Sequence, residues 1–307
     1  MVKYNKVLVT GGSGFLGTRL RIAQPDWVYV SSKDYDLLNE DECDKMFSDI
    51  KPDAVIHLAA KVGGIKDNAE HQGDFFYQNT KINCNVVNAA KNAGVKRLLA
   101  SLSTCAFPDK CRTYPMTEED LFMGSPAETN LSYGYTKRLL HVQCLSYRKQ
   151  YGLNYSTFCP SNLYGPADHF DSDKSHFVPA LVKKLHSASD GEWVEFWGTG
   201  LPLRQQLYVD DLAELIPSLL SEHNSDIPLI VAPNENLTIK TMIEKGLKSC
   251  GKRIEYSFNG KISGQFRKDG SNARLMEICP DLSFTPFEEG FKKTYEWYEK
   301  QSFNHRN

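Results

Sequence analysis

The chain has 307 residues, 41% of them hydrophobic, and a formal net charge of −2, enough for a sizeable core in one large or two fused domains. The balanced charge and the lack of a long basic run argue against a nucleic-acid groove, and no apolar stretch reaches the roughly eighteen residues of a membrane span. Eight cysteines without a Cys-x-x-Cys pattern read as reduced thiols, and Met1-Val2-Lys3-Tyr4 leads straight into a strand with no secretory leader, so a soluble cytoplasmic protein without a metal framework is expected.

Lys6-Val7-Leu8-Val9 predicts a buried strand and Phe15 to Ile22 a helix, joined through Thr10-Gly11-Gly12-Ser13-Gly14-Phe15-Leu16-Gly17. Gly12-x-Gly14-x-x-Gly17 has the dinucleotide spacing: one glycine for the tight turn, one admitting the pyrophosphate to bare backbone, one for close helix–strand packing. The helix N-terminus then offers the anion free N–H groups and a positive dipole end. Gly11, Gly12, Ser13, Gly14, Phe15, Leu16 and Gly17 are therefore candidate cofactor contacts.

Trp27 to Val30 predicts the second strand, and Ser31-Ser32-Lys33 follows where an NAD site carries an acidic residue for the ribose. A carboxylate beside a 2′-phosphate would be repelled by roughly 4 kcal/mol at about 4 Å and an effective dielectric of about 20. Two hydroxyls and an ammonium thus favour NADP, with Asp36 and Leu37 placed to contact adenine; the alternative is that Asp34 or Asp36 turns back to the ribose.

Further along, Glu40 to Ile50, Asp74 to Ala93 closed by Gly94, and Tyr133 to Tyr151 closed by Gly152 predict helices. They alternate with strands at Ala54 to Leu58, Arg97 to Leu102 and Tyr155 to Cys159, the pattern of an α/β fold with a doubly wound parallel sheet. After Gly165 the pattern is less regular: helices at His176 to Ala188, Asp211 to Leu220, Thr238 to Lys248 and Phe287 to Lys300, strands at Val194 to Trp197 and Ile254 to Phe258. We expect a Rossmann domain over 1–165 with a return segment at about 201–232, and a smaller C-terminal α/β substrate domain from 166–200 and 233–307, the site lying in the cleft between them.

The chemistry is carried by Ser101-Leu102-Ser103-Thr104-Cys105 at a strand end and by Tyr133-x-x-x-Lys137 at a helix start. Tyr29/Lys33 and Tyr77/Lys81 share the interval, so position distinguishes the third pair. An i,i+4 spacing puts both side chains on one helical face, where a serine at the carboxyl edge of the sheet can meet them over a nicotinamide. Lys137 is expected to lower the Tyr133 phenol from its ordinary value near 10 and to hold the nicotinamide ribose. Ser103 would hydrogen-bond a substrate carbonyl while Tyr133 protonates its oxygen.

The TGxxGxxG opening with a Ser, Tyr-x-x-x-Lys triad resembles the extended short-chain dehydrogenase/reductase superfamily. Within it, Lys61-Val62-Gly63-Gly64-Ile65, Ser103-Thr104-Cys105, Ser161-Asn162-Leu163-Tyr164-Gly165-Pro166 and Ser175-His176-Phe177-Val178-Pro179-Ala180 are similar to the GDP-L-fucose synthase family. Trp197-Gly198-Thr199-Gly200, Arg204 and Ser263-Gly264-Gln265-Phe266-Arg267-Lys268 extend the likeness over nearly the whole chain. The resemblance implies an NADPH-dependent enzyme that converts GDP-4-keto-6-deoxy-D-mannose to GDP-L-fucose by epimerising C3 and C5 and then reducing C4.

It also implies Cys105 and His176 as the base and acid pair of the epimerisation, in either order. Cys105, two residues beyond Ser103, is expected to point the same way along the strand. To the cofactor side the resemblance adds Ser101, Leu102, Ser103, Thr104, Pro160, Ser161, Asn162, Leu163 and His176. To the nucleotide sugar it assigns Lys184, Trp197, Arg204, Arg267 and Lys268, cations suited to a diphosphate and an aromatic suited to a base or sugar. Ser13 stands where some relatives have arginine, which leaves Lys33 with more of the NADP contact. The helices Asp74 to Ala93 and Tyr133 to Tyr151 resemble those that form a four-helix homodimer interface in the superfamily.

Rival readings are a nucleotide-sugar 4-epimerase or 4,6-dehydratase with bound NAD, and a non-catalytic NADP-binding regulatory protein. A dehydratase normally offers an acidic pair where this chain has Cys105, and an intact Ser103/Tyr133/Lys137 set argues against lost catalysis.

Overall fold

The computed structural model describes residues 4–63, 65–171, 175–260 and 265–304. Strand β1 (Val7–Thr10) is buried on both sides, and its alternation separates two cores: Val7 and Val9 face one, Leu8 the other. After it come α1 (Phe15–Ala23), β2 (Val28–Val30), α2 (Glu40–Ile50), β3 (Ala54–His57), α3 (Ile65–Glu70), α4 (Gln72–Asn92), β4 (Arg97–Ser101), α5 (Leu131–Tyr151) and β5 (Asn154–Pro160). The cap chemistry sets several boundaries. The Asn39 side chain accepts the N–H groups of Asp41 and Glu42 to start α2, and Gly152 in the left-handed region ends α5.

The next elements are β6 (Asn162–Tyr164), α6 (Phe177–Ser187), β7 (Trp193–Phe196), β8 (Leu203–Tyr208), α7 (Val209–Glu222) and β9 (Leu229–Val231). The chain closes with β10 (Asn236–Thr238), α8 (Ile239–Cys250), β11 (Glu255–Phe258), β12 (Arg267–Lys268), α9 (Ala273–Ile278) and α10 (Phe287–Asn304). The predicted helices and strands agree with these to within about two residues at each end, the ordinary uncertainty of a frayed boundary, except that α10 runs to Asn304, four residues beyond the predicted Lys300. Four short strands, β6, β9, β10 and β12, and the longer β8 had no sequence counterpart, as did α3 and α9.

The main sheet is all parallel in the order β2-β1-β3-β4-β5-β9. Helices α2, α4 and α5 pack their apolar residues on one face and α1, α7 and α9 on the other, a doubly wound Rossmann-like arrangement. The order reverses at β1, so the crevice where a ligand is expected opens at the carboxyl ends of β1 and β3. A second sheet, β10-β8-β12 with β6 also on β8, and a β7–β11 pair form the other layer; α6, α8 and α10 enclose a third core there around Tyr164, Phe287 and Phe291. Strand β6 follows β5 after one residue, which carries the chain from the large sheet directly into the small one. Among the described residues no helix is long and apolar enough to cross a membrane.

Candidate active site

The turn after β1 is built so that no side chain fills it. Gly11 has φ +74°, and a Cβ there would lie 2.8 Å from the Ala59 nitrogen. A Cβ on Gly17 would lie 2.3 Å from the Gly11 carbonyl oxygen, so only glycine lets α1 approach the turn. Gly12 donates its N–H to Val30 O at 2.8 Å, fastening the turn to β2. Gly14 is the N-cap of α1, with no side-chain cap and no acidic residue in the first turn, so the helix N-terminus is open to an anion. This cradle fits a dinucleotide pyrophosphate. Leu16 and Leu102 pack their side chains into the two cores.

Beyond β2, Ser31 donates from Oγ and N–H to Asp34 Oδ2 at 2.7 and 2.8 Å, and these bonds hold the Asp34 carboxyl below the usual range. Asp36 Oδ1 accepts the Leu38 N–H at 3.0 Å. Both carboxylates that could have turned to a ribose are thus engaged in their own turn, with Ser32 and Lys33 exposed beside them. Leu37 packs its side chain against the core. At the other end of the crevice, Ser161 follows Pro160 at the end of β5, and its buried Oγ has no hydrogen-bond partner among the described residues. Asn162 and Leu163, on β6, lie half-buried just beyond.

Tyr133 and Lys137 share a face of α5, with Nζ of Lys137 5.7 Å from the Tyr133 ring centroid. Lys137 is 3% exposed and donates to Ser101 O at 2.8 Å, which fixes it to the end of β4. Burial pulls its pKa down to about 8. The expected depression of the phenol is corrected: desolvation raises Tyr133 far above its ordinary value, and negative charge on Cys105 or Cys159 would raise it further. A phenolate in this crowded site loses more hydration than the neighbouring ammonium returns. Tyr133 is therefore held protonated, as a proton donor needs to be.

Ser103 and Cys105 do meet, though not as strand neighbours. The strand ends at Ser101, and Ser103 caps a 3₁₀ turn, Thr104–Ala106, accepting the Cys105 N–H on its Oγ at 3.2 Å. The turn, not the two-residue period of a strand, brings the thiol beside the hydroxyl. Thr104 itself is buried. Lys268 Nζ donates to Cys105 Sγ at 3.3 Å. Burial pushes the thiol up, but Lys268, the Ser103 hydroxyl and the Arg204 charge together outweigh it and leave Cys105 below the ordinary thiol value.

His176 is the N-cap of α6 and makes no capping hydrogen bond, so its ring is left for other work. Crowding by the protein and then the charges of Lys268 and His169 hold it below the ordinary histidine value, in the neutral form. Lys268 therefore acts on Cys105 and His176 alike.

The other residues assigned to the nucleotide sugar separate. Trp197, 74% exposed, projects from the loop after β7 and is free to stack. Arg204 is braced by Leu203 O and Gln265 O at 2.7 Å each and directs its charge toward Cys105. Lys184 donates to Glu195 O and covers the Phe196 ring. Arg267 makes a bidentate pair with buried Asp269 at 2.6 and 2.9 Å and keeps about a third of its side chain exposed. Gly64, Ser263 and Gly264, part of the motifs noted above, lie outside the described residues.

Sequence reading missed a buried chain of polar groups under the crevice. Thr10 Oγ1 meets His57 Nδ1 at 2.8 Å, His57 Nε2 meets Asn83 Oδ1 at 3.0 Å, and Asn83 Nδ2 donates to Thr136 O at 3.4 Å. It links the start of the glycine turn to the residue before Lys137. Burial holds His57 neutral, down to about 4. The available signal was a threonine and a histidine ending two adjacent buried strands. Asp168 was also passed over; it is buried with Oδ2 unpartnered, and desolvation pushes it up to about 7.

With this geometry in place, likeness to known proteins is informative. The profile of the NAD dependent epimerase/dehydratase family matches residues 7–231. The chain is 35% identical to a GDP-L-fucose synthase of Dictyostelium discoideum over 95% of this chain and 94% of that protein. It is likewise 35% identical to a probable GDP-L-fucose synthase of Drosophila melanogaster, over 95% of this chain and 97% of the relative. Among solved structures, a GDP-L-fucose synthetase from Naegleria fowleri bound to NADP superposes with a TM-score of 0.89 at 33% identity, covering 100% of this chain and 96% of that one.

Proposed function

The chain belongs to the NAD dependent epimerase/dehydratase family and, within it, to the GDP-L-fucose synthases, and on that footing we propose that it converts GDP-4-keto-6-deoxy-D-mannose to GDP-L-fucose with NADPH. The observation that supports this reading is the presence of two chemistries: a protonated Tyr133 backed by Lys137, and a charge-stabilised Cys105 that shares the field of Lys268 with a neutral His176. A plain reductase needs only the first pair.

NADPH supplies the hydride for C4 when bound. Gly11 to Gly17 hold its pyrophosphate and Ser31, Ser32 and Lys33 its 2′-phosphate, with Ser101 to Thr104, Pro160 to Leu163 and His176 along the nicotinamide half. The protons at C3 and C5 are acidic because each lies alpha to the C4 ketone. Cys105 and His176 exchange them on opposite faces while Ser103 and Tyr133 stabilise charge on the C4 oxygen. In the reduction Tyr133 gives its proton to that oxygen, and the Lys137 ammonium stabilises the phenolate formed. Trp197 and Arg204 hold the nucleotide portion. Residues 1–165 with 201–232 act as the cofactor half and 166–200 with 233–307 as the substrate half.

The enzyme works in the cytoplasm as a homodimer. Helices α4 and α5 lie side by side and expose Phe76, Tyr77, Tyr135, Leu139 and Val142, an apolar surface suited to a second copy. Purified protein is expected to oxidise NADPH only when GDP-4-keto-6-deoxy-D-mannose is present. In deuterated water the product should carry deuterium at both C3 and C5 by NMR. Normal NADPH binding with no turnover of this substrate would refute the proposal.

A further inference from the structure

We propose that Lys268 is the counter-ion that keeps the Cys105 sulfur as a thiolate, a positioning residue for the epimerisation rather than a ligand of the diphosphate. The inference rests on the reading of Cys105 as a proton-transferring group and says what prepares it.

The geometry is specific. β12 is only two residues long and pairs with β8, placing Lys268 opposite Arg204 across the ladder. The remaining protein then aims the two cations at one place. Nζ of Lys268 reaches Cys105 Sγ at 3.3 Å, a contact across 163 residues of sequence. Arg204 is braced by two carbonyls with its charge toward the same sulfur. The neighbouring Arg267 has a buried carboxylate of its own in Asp269, whereas the partner that the structure gives Lys268 is a thiol.

The groups facing Cys105 from the surrounding elements are Lys268 on β12, Arg204 on β8, Tyr133 on α5, Cys159 on β5 and the Ser103 hydroxyl on its own turn. The first two are cations, and both Tyr133 and Cys159 are driven toward their neutral forms by burial. Net positive surroundings therefore favour one anion, and the sulfur is where it resides. Such a thiolate can take the proton from carbon, becoming S–H as the C–H electron pair moves into the enolate. The same ammonium adds to the desolvation that already disfavours a positive charge on His176, so it favours the anion on one member of the pair and the neutral form of the other.

The test measures the pH dependence of Cys105 alkylation by iodoacetamide in ligand-free protein, read by mass spectrometry of the Cys105 peptide, for wild type, Lys268→Met and Lys268→Arg. We expect Lys268→Met to move the midpoint upward by at least one pH unit, and to slow deuterium entry at C3 and C5 at least tenfold with NADPH affinity unchanged. Lys268→Arg should keep the low midpoint. A wild-type midpoint and exchange rate in Lys268→Met, with a raised KM for the nucleotide sugar, would overturn the proposal and return Lys268 to the diphosphate. A shifted midpoint with undiminished exchange would overturn the reading of Cys105 as the base, since the alkylation measurement does not depend on the substrate.

Discussion

Lys137 shows how a single side chain is compromised for function. Its pKa of about 8 lies below the ordinary 10.5, so below pH 8 the folded protein bears the full cost of a buried ammonium. That cost fades as pH rises from 8 toward 10.5, where the unfolded chain also loses its charge. A gap of this size corresponds to about 3 kcal/mol, partly recovered through the bond to Ser101 O. Lys137→Met is therefore expected to raise the Tm by a few degrees at pH 7, with the gain disappearing near pH 10, while the reduction falls at least a hundredfold; thermal scans across pH beside NADPH-oxidation assays check both. The candidate set of Ser103, Tyr133 and Lys137 was legible in the residues because fingerprint, strand end and helix start agreed. The protonation states were not, since desolvation depends on what packs around a group, and neither Tyr133 nor Cys105 could be assigned its charge from spacing.

At the scale of elements, the glycine turn and α1 act as one part. Gly17→Ala would drive a methyl into the Gly11 carbonyl and the Gly12 backbone, 2.3 and 2.8 Å away, and neither is a flexible side chain that can move aside. The helix must shift off the turn, and its N-terminus with it. We expect NADPH affinity to fall at least a hundredfold with far-UV circular dichroism unchanged; binding within threefold of wild type would show that the close approach is not required. Local rules predicted this unit and α2 well, because caps, turn glycines and helical period are short-range features. They failed for β6, β8, β10 and β12. Those strands are set by pairing partners distant in sequence, such as Lys268 with Arg204, and the flanking residues carry no alternation long enough to reveal them.

For the whole molecule, the site is an assembly of both layers. Ser103 comes from the 3₁₀ turn beyond β4 and Tyr133 and Lys137 from α5, both on the side of the large sheet, and Arg204 and Lys268 from the small sheet. The β5–β6 junction fixes one layer against the other within a single residue. The exposed apolar face of α4 and α5 lies outside this assembly. If the wild type is the proposed dimer by sedimentation, Leu139→Glu, at a site already 44% exposed, should yield a folded monomer. A wild-type sedimentation profile in that variant, or a monomeric wild type, would overturn this face as the proposed dimer contact.

The sequence by itself determined the α/β class, the glycine turn, the candidate residues of the site and the likeness that names the reaction, because each depends on residue type at short, fixed spacing. Only the tertiary structure decided that Lys268 meets Cys105, that Arg204 is braced by Gln265, and that burial keeps Tyr133 protonated. Those outcomes turn on which partner reaches a charge first in three dimensions, and on how much water is removed around it.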